Sequence, residues 1–269
     1  MPQATAAPQA PTQTPGRLIL VPNALDLGTE AGDLRDILPD GVLRMAARLQ
    51  HWAVEDARST RAFLKRVAAV HPLAHALQAL HIVEMPRPQK GRPANSPAAK
   101  SAGDPWTDLL APAWAGHDLG VLSEAGLPGV ADPGARLVEA AHRAGLEVQA
   151  LPGSSSLVLA LAASGLQGQQ FAFVGYLPQE ADARARRIRE LEAWSRKADQ
   201  TQLLIETPYR NQAVLQALLA HLNPDTRLSI SIGLTLPGGF SRTAPVAQWR
   251  KQTPTLSDRM PAVFALHGR

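Results

Sequence analysis

At 269 residues, 45 % hydrophobic and 19 % charged, the chain is long enough for one large domain or two small ones, each with its own core. The absence of cysteine excludes disulfides, thiolate catalysis and Cys-based zinc sites. No metal is expected, and a net charge of +4 suits an RNA partner and a solvated surface equally.

Residues 1–15, rich in Pro, Ala, Thr and Gln, read as a disordered tail without the basic and apolar regions of a secretion signal. No apolar run approaches the roughly 20 residues that span a bilayer. A cytoplasmic location without membrane contact is therefore expected. Order begins at "RLILVPN" (17–23), an apolar run stopped by Pro22 and Asn23 and so a strand entering a loop. Residues 40–49 carry Val42, Leu43, Met45, Ala46 and Leu49 on one helical side. "HWAVED" (51–56) reads as a second strand, 59–70 as an amphipathic helix capped by Ser59, and 79–85 as a third strand.

Residues 86–105 then break the pattern with Pro, Gly, Ser and basic residues, as a mobile loop would. "WTDLLAPAWAG" resumes a helix. "DLGVLSE" (118–124) is a strand, 134–145 a helix closed by Gly145, and 146–152 another strand. The alternation predicts a mostly parallel sheet with helices on its faces. The small-residue run 154–165 predicts a helix buried nearly all round. Beyond it the rhythm restarts: a strand in "FAFVGYLP", a basic helix over 180–197, a strand at 202–208, and a helix over 209–222. A strand at 227–236, the turn "PGG", a helix near 245–251 and a strand at 261–268 complete the chain. The expected organisation is an N-terminal α/β domain over 16–153, a connector helix over 154–167 and a C-terminal α/β domain over 168–269.

Open α/β sheets bind ligands beyond the carboxyl ends of their strands. Four such ends are rich in turn residues: 22–25, 123–128, 152–156 and 206–210. Glycine and proline there keep side chains away and let backbone groups reach a ligand, although ordinary βα turns use the same residues. No dinucleotide fingerprint or phosphate-binding G-K-[ST] is present. In "GSSSL" (153–157) Leu157 stands where a serine-nucleophile elbow requires glycine, which disfavours a hydrolase.

The block "VLSEAGLPGVADPGARLVEAAHRAGLEVQALPGSSSLVLALAASGL" resembles the central segment of the tetrapyrrole methylase superfamily, in its ribosomal RNA small subunit methyltransferase I branch. "LILVPN", "AVEDARST", "FVGYLP" and "IETPYR" follow that branch's order, and the resemblance runs from about Gly16 to the C-terminal end apart from 86–105. It implies two α/β domains with a cleft between them for S-adenosyl-L-methionine. Ser123, Glu124, Ala125, Gly126 and Leu127 would lie along the methionine and sulfonium. Ser154, Ser155 and Ser156 would cap the connector helix against the cofactor, and Leu25, Glu206, Leu234, Pro261 and Ala262 would line the adenosine. Glu55, Asp56 and Arg58 would face the same crevice as catalytic groups, the carboxylates orienting or deprotonating a hydroxyl and Arg58 holding a phosphate, or else would form an ion pair that fixes the next helix. Tyr209 and Arg210 are substrate-binding candidates or a plain helix start. Arg186, Arg187 and Arg189 form either an RNA footprint or a solvated helix face.

The resemblance implies methylation of a ribose 2′-hydroxyl in small-subunit ribosomal RNA by a cytoplasmic homodimer. The alternatives are a tetrapyrrole or other small-molecule acceptor, and a cofactor-binding protein without catalysis. The departures fall on the acceptor side. Asn23 and Ala24 replace Thr and Pro of P-T-P-I-G-N, the H-D-H-N-E segment is missing, and "SIGLTLPGG" lacks two charges of A-R-E-L-T-K at Gly233 and Leu236.

Overall fold

The computed structural model describes residues 14–26, 32–87 and 104–268. The tail up to residue 13 and residues 88–103 of the predicted loop lie outside the described residues. The chain divides into two compact units, which part after Gly153.

The first unit is a five-stranded parallel sheet. In chain order it contains β1 (Leu18–Val21), α1 (Asp40–Arg48), β2 (His51–Val54), α2 (Ala57–Ala68), β3 (His81–Glu84), α3 (Pro105–Asp108), α4 (Ala111–Trp114), β4 (Leu119–Leu122), α5 (Ala135–Arg143) and β5 (Val148–Ala150). The strand order is β3-β2-β4-β1-β5, every neighbouring pair parallel. Successive strand residues point to opposite faces. Ile19, Val21, Trp52 and Val54 therefore pack with Val42, Leu43, Phe63 and Leu64 of α1 and α2. Leu18, Ala53, Leu119 and Val121 pack on the other face with Leu110, Ala113, Leu137 and Ala140 of the α3–α5 side.

This arrangement fixes where a ligand can lie. The helices after β1 and β2 cover one face and those after β3 and β4 the other, so β4 stands between two strands whose connections leave on the opposite side. That is a topological switch point, and the crevice opens at the carboxyl ends of β1, β4 and β2.

The second unit contains α6 (Ser156–Ser164), β6 (Phe171–Phe173), α7 (Ala181–Ala198), β7 (Thr201–Glu206), α8 (Asn211–His221), β8 (Arg227–Ile232), β9 (Phe240–Pro245), α9 (Val246–Lys251) and β10 (Ala262–His267). Its strand order is β6-β7-β10-β8-β9, and only β6 and β7 are parallel. α7, α8 and α9 share one apolar cluster with the sheet, built on Ile188, Leu215, Leu218, Trp249 and Phe264. On the other face α6 sets Leu157, Ala160 and Leu161 against Leu203, Val263 and Ala265.

Several local expectations are corrected. The cap of α2 is Asp56, whose carboxylate accepts from the Ser59 amide at 2.7 Å. Residues 105–114 form two short helices, because Pro112 opens a new first turn. The strand expected to reach residue 236 stops at Ile232, since Gly233 takes φ of 55°. The turn after it leads into β9, a strand the pattern did not reveal. α6 is buried on one side only, with Val158 and Leu159 exposed, because a single sheet face covers it.

Candidate functional site

β4 ends at Leu122 and enters a loop with positive φ at Gly126, Gly129, Ala131 and Gly134. Residues 127–134 close on themselves, with the Val130 amide on the Leu127 carbonyl and the Gly129 amide on the Pro133 carbonyl, both at 3.1 Å. Gly134 is required there: a Cβ would stand 3.2 Å from the Gly129 nitrogen, at a φ of 131°.

Asn23 holds this loop to the end of β1. Its amide and carbonyl exchange hydrogen bonds with Gly126, each 2.9 Å, in an isolated antiparallel bridge. Its side-chain Nδ2 donates to the carbonyls of Ser123 at 3.0 Å and Glu124 at 2.9 Å. The corner is therefore less bare than its glycines suggest, because Asn23 uses both backbone groups of Gly126 and two neighbouring carbonyls. From β2, Glu55 accepts from the Glu124 amide at 3.0 Å. On the far side Gly153 packs against Pro22 so closely that a Cβ would fall 2.3 Å from the proline Cβ.

Glu55, Glu124 and Asp132 gather at this corner, and the crowding of like charges opposes ionisation of Glu124 and Asp132. Burial first, then the charges of Glu55 and Glu124, push the Asp132 carboxyl up to about 7. Burial, followed by Glu55 and Asp56, also raises Glu124. Asp56 goes the other way, held below the usual carboxylate range mainly by the Ser59 amide. Beside these groups opens a cavity of about 370 Å³, lined by Glu55, Asp56, Met85, Pro86, Arg87, Glu124 and Pro133. That is within the range of small-molecule sites, roughly 300–1,000 Å³.

The first unit thus brings together Ser123, Glu124, Ala125, Gly126, Leu127, Glu55 and Asp56, with Leu25 half-buried just beyond Asn23. Asp56 is committed to capping α2. Arg58 is exposed on the first turn of α2 and has no ion pair among the described residues. Sequence reasoning missed Asn23 and Asp132. The first was visible only as a departure from the family pattern, and the second as the acid of "ADPG".

In the second unit Glu206 ends β7, and its Cα partner across the sheet is Ala262, which in turn pairs with Ile232. Glu206, Pro261, Ala262 and the Gly233–Leu234 turn therefore share one end of this sheet. The Glu206 carboxylate is fully buried; Oε1 accepts from the Thr207 amide at 2.8 Å, and Oε2 lies 3.2 Å from the Arg210 guanidinium. Arg210 also donates to the Leu177 carbonyl at 3.2 Å, so its charge is already engaged. Tyr209 is 76 % exposed beside it. Ser154 and Ser155 precede α6, and Ser155 stands at the cap without bonding a helix amide, which leaves those amides to another acceptor. Arg187 pairs with Glu190 on the exposed side of α7, which also carries Arg186 and Arg189.

In the first unit these features suit a ligand that bears positive charge. Three carboxyl groups match the positive charges. The space over Gly126 is open, a Cβ there meeting nothing nearer than Asp132 Oδ2 at 3.8 Å. In the second unit, taken by itself, the uncapped α6 amides are open to an anion. Among the described residues no group of His, Asp and Glu is arranged to hold a metal ion, and no helix is long and apolar enough to cross a membrane.

Two α/β units, one of them a doubly wound parallel sheet with a glycine-bearing loop at its switch point, define a class of small-ligand-binding proteins with the site beyond the strand ends. Within that class, the family model for tetrapyrrole (corrin/porphyrin) methylases matches residues 63–238, and the chain belongs to this family. It is 35 % identical over 128 residues to ribosomal RNA small subunit methyltransferase I of Synechocystis sp., covering 48 % of this chain and 44 % of that protein. It is 32 % identical over 180 residues to the protein of the same name from Xylella fastidiosa, covering 66 % and 55 %. The chain thus spans about half the length of the curated relatives it matches. In fold it is similar to a conserved hypothetical protein from Aeropyrum pernix K1, with a TM-score of 0.55 at 16 % identity over 95 % of this chain and 85 % of that one.

Proposed function

We propose that this chain is an S-adenosyl-L-methionine-dependent methyltransferase acting on a ribose 2′-hydroxyl of small-subunit ribosomal RNA. The observation that carries the reading is the Asn23-clamped loop at the switch point, with Glu55, Glu124 and Asp132 gathered against it. When bound, the donor supplies an electrophilic methyl group, so the protein has mainly to align the acceptor and exclude water. Ser123 to Leu127 present the binding surface, and the three carboxyl groups compensate positive charge. The start of α6 at Ser154, Ser155 and Ser156 receives a carboxylate. Leu25 in the first unit, and Leu234, Pro261 and Ala262 with the Glu206 backbone in the second, are the residues that would contact the adenosine. Glu55, whose Oε2 accepts from the Glu124 amide, offers its second oxygen to orient an acceptor hydroxyl and take its proton, while Asp56 serves the α2 cap. Arg58 and Tyr209, both exposed, are the remaining contacts for a nucleotide.

The RNA reading draws on the relatives' names. The small-molecule reading draws on Arg210, whose guanidinium is taken by Glu206 rather than offered to a phosphate. Two measurements separate them. Calorimetry with S-adenosylhomocysteine tests the donor site, and absence of binding at high micromolar protein refutes it. Radiolabelled methyl transfer to small ribosomal subunits from a strain lacking this gene tests the acceptor; donor binding with no transfer to those subunits refutes the RNA assignment. A cytoplasmic homodimer belongs to the same proposal, and sedimentation velocity tests the stoichiometry.

A further inference from the structure

At the opposite end of the first sheet, where β1, β2 and β4 begin, lies a second group of titratable side chains. Parallel register sets His51 beside His81, and their rings stack with centroids 4.8 Å apart and planes 8° from parallel. His117 covers the other side of His51 at 4.9 Å, tilted by 35°. A cavity of about 310 Å³ opens beside them, lined chiefly by Arg17, Arg48, His51, His75, His117 and Asp118. Asp118 is the one carboxylate in that lining, and it is already engaged: both oxygens accept from Arg17, at 2.8 Å from its backbone amide and 2.7 Å from its guanidinium. Arg17 also donates to Gln149, while Arg48, at the end of α1, has no ion pair among the described residues.

The charged groups around His51 come from several elements. They are His81 of β3, His117 and Asp118 before β4, Arg17 before β1, and Arg48 of α1. His75 follows α2, and Glu147, before β5, acts on Arg17. Burial first, then His117, His81 and His75, holds His51 below its ordinary value. Neighbouring imidazoles resist sharing positive charge, so without a counter-ion protonation of His51 is disfavoured. An anion in the cavity reverses this, because it compensates both the uptake of a proton and the charge of Arg48, which meets Asp118 only at a distance.

We propose that this histidine-lined cavity is a phosphate-binding site, distinct from the site at the strand carboxyl ends, that takes up a proton as it fills. The cavity is small for a whole nucleotide but roomy for a phosphate group, whose anionic oxygens can accept from Arg48 and from protonated imidazole. Inorganic phosphate, a nucleotide phosphate and an RNA backbone share these anionic oxygens.

The test is histidine-selective NMR on the full chain, with inorganic phosphate replacing chloride at constant ionic strength. The signals of His51, His81 and His117 should move saturably, with apparent affinity at least about fivefold tighter at about pH 6 than at about pH 7.5. Arg48→Gln and His51→Asn should each weaken that response by about fivefold or more while amide dispersion stays native-like. Absence of a saturable shift, an unchanged response in both well-folded variants, or movement with zinc ions and not with phosphate would overturn the proposal. A short single-stranded RNA identifies the source: displacement by phosphate at the same three rings marks a polynucleotide backbone, and a response to phosphate alone marks a free anion.

Discussion

Replacing Asp132 by Asn removes a carboxyl group that the folded protein holds against Glu55 and Glu124. A rise from 3.8 to about 7 corresponds to about 4 kcal/mol at about 1.36 kcal/mol per unit. Asp132 is only half-buried, and solvent screening reduces that figure to about 1–2 kcal/mol. The sign follows from which state ionises first. Below about pH 4 both states carry a protonated acid and the term vanishes. Between about pH 4 and 7 the unfolded chain ionises while the folded one stays protonated, so the wild type loses stability as pH rises, and the loss levels off above 7. Asp132→Asn should therefore match the wild type near pH 4 and exceed it by about 1–2 kcal/mol at pH 8. Urea unfolding of both proteins across that range measures the difference. An Asn variant less stable at pH 8, or a difference independent of pH, would refute the account of crowded carboxyl groups at this corner.

Asn23→Ala strands the Ser123 and Glu124 carbonyls and should cost about 1–3 kcal/mol by urea denaturation, with weaker S-adenosylhomocysteine binding by calorimetry. Gly153→Ala puts a methyl group 2.3 Å from the Pro22 Cβ, and a thermal scan should show a loss equivalent to about 1–3 kcal/mol. Glu192 of α7 is buried and accepts from the Asn223 amide at 2.7 Å and from the side chains of Asn223 and Thr226. Glu192→Gln turns donors towards donors and should cost about 1.5–3 kcal/mol in guanidinium unfolding.

The first unit is plain in the sequence because fully buried parallel strands leave continuous apolar runs such as "LILV" and "GVL", with helical patterns between them. β9 leaves no such trace. It is an edge strand with only Ala244 buried, preceded by Gly238 and Gly239 and ended by Pro245, so its residues resemble a loop. The mixed direction of the second sheet was equally hidden, since strand pairing depends on tertiary contacts rather than on local pattern. The loop after β4 could be read from its glycines and prolines. What holds it could not, because Asn23 acts across about a hundred residues. The weakened acidity of Asp132 arises in the same way, from burial and from carboxyl groups that meet only in the folded chain.

β10 is the last strand of the second sheet to leave the ribosome, yet it lies in the middle, hydrogen-bonded to β7 on one side and β8 on the other. Until residues 262–267 have been synthesised, β6–β7 and β8–β9 are separate ribbons with open flanks, while the parallel sheet of the first unit already has all its strands. Translation that halts short of Ala262 thus yields a polypeptide with one finished half and one sticky half, a natural client for chaperones and proteases.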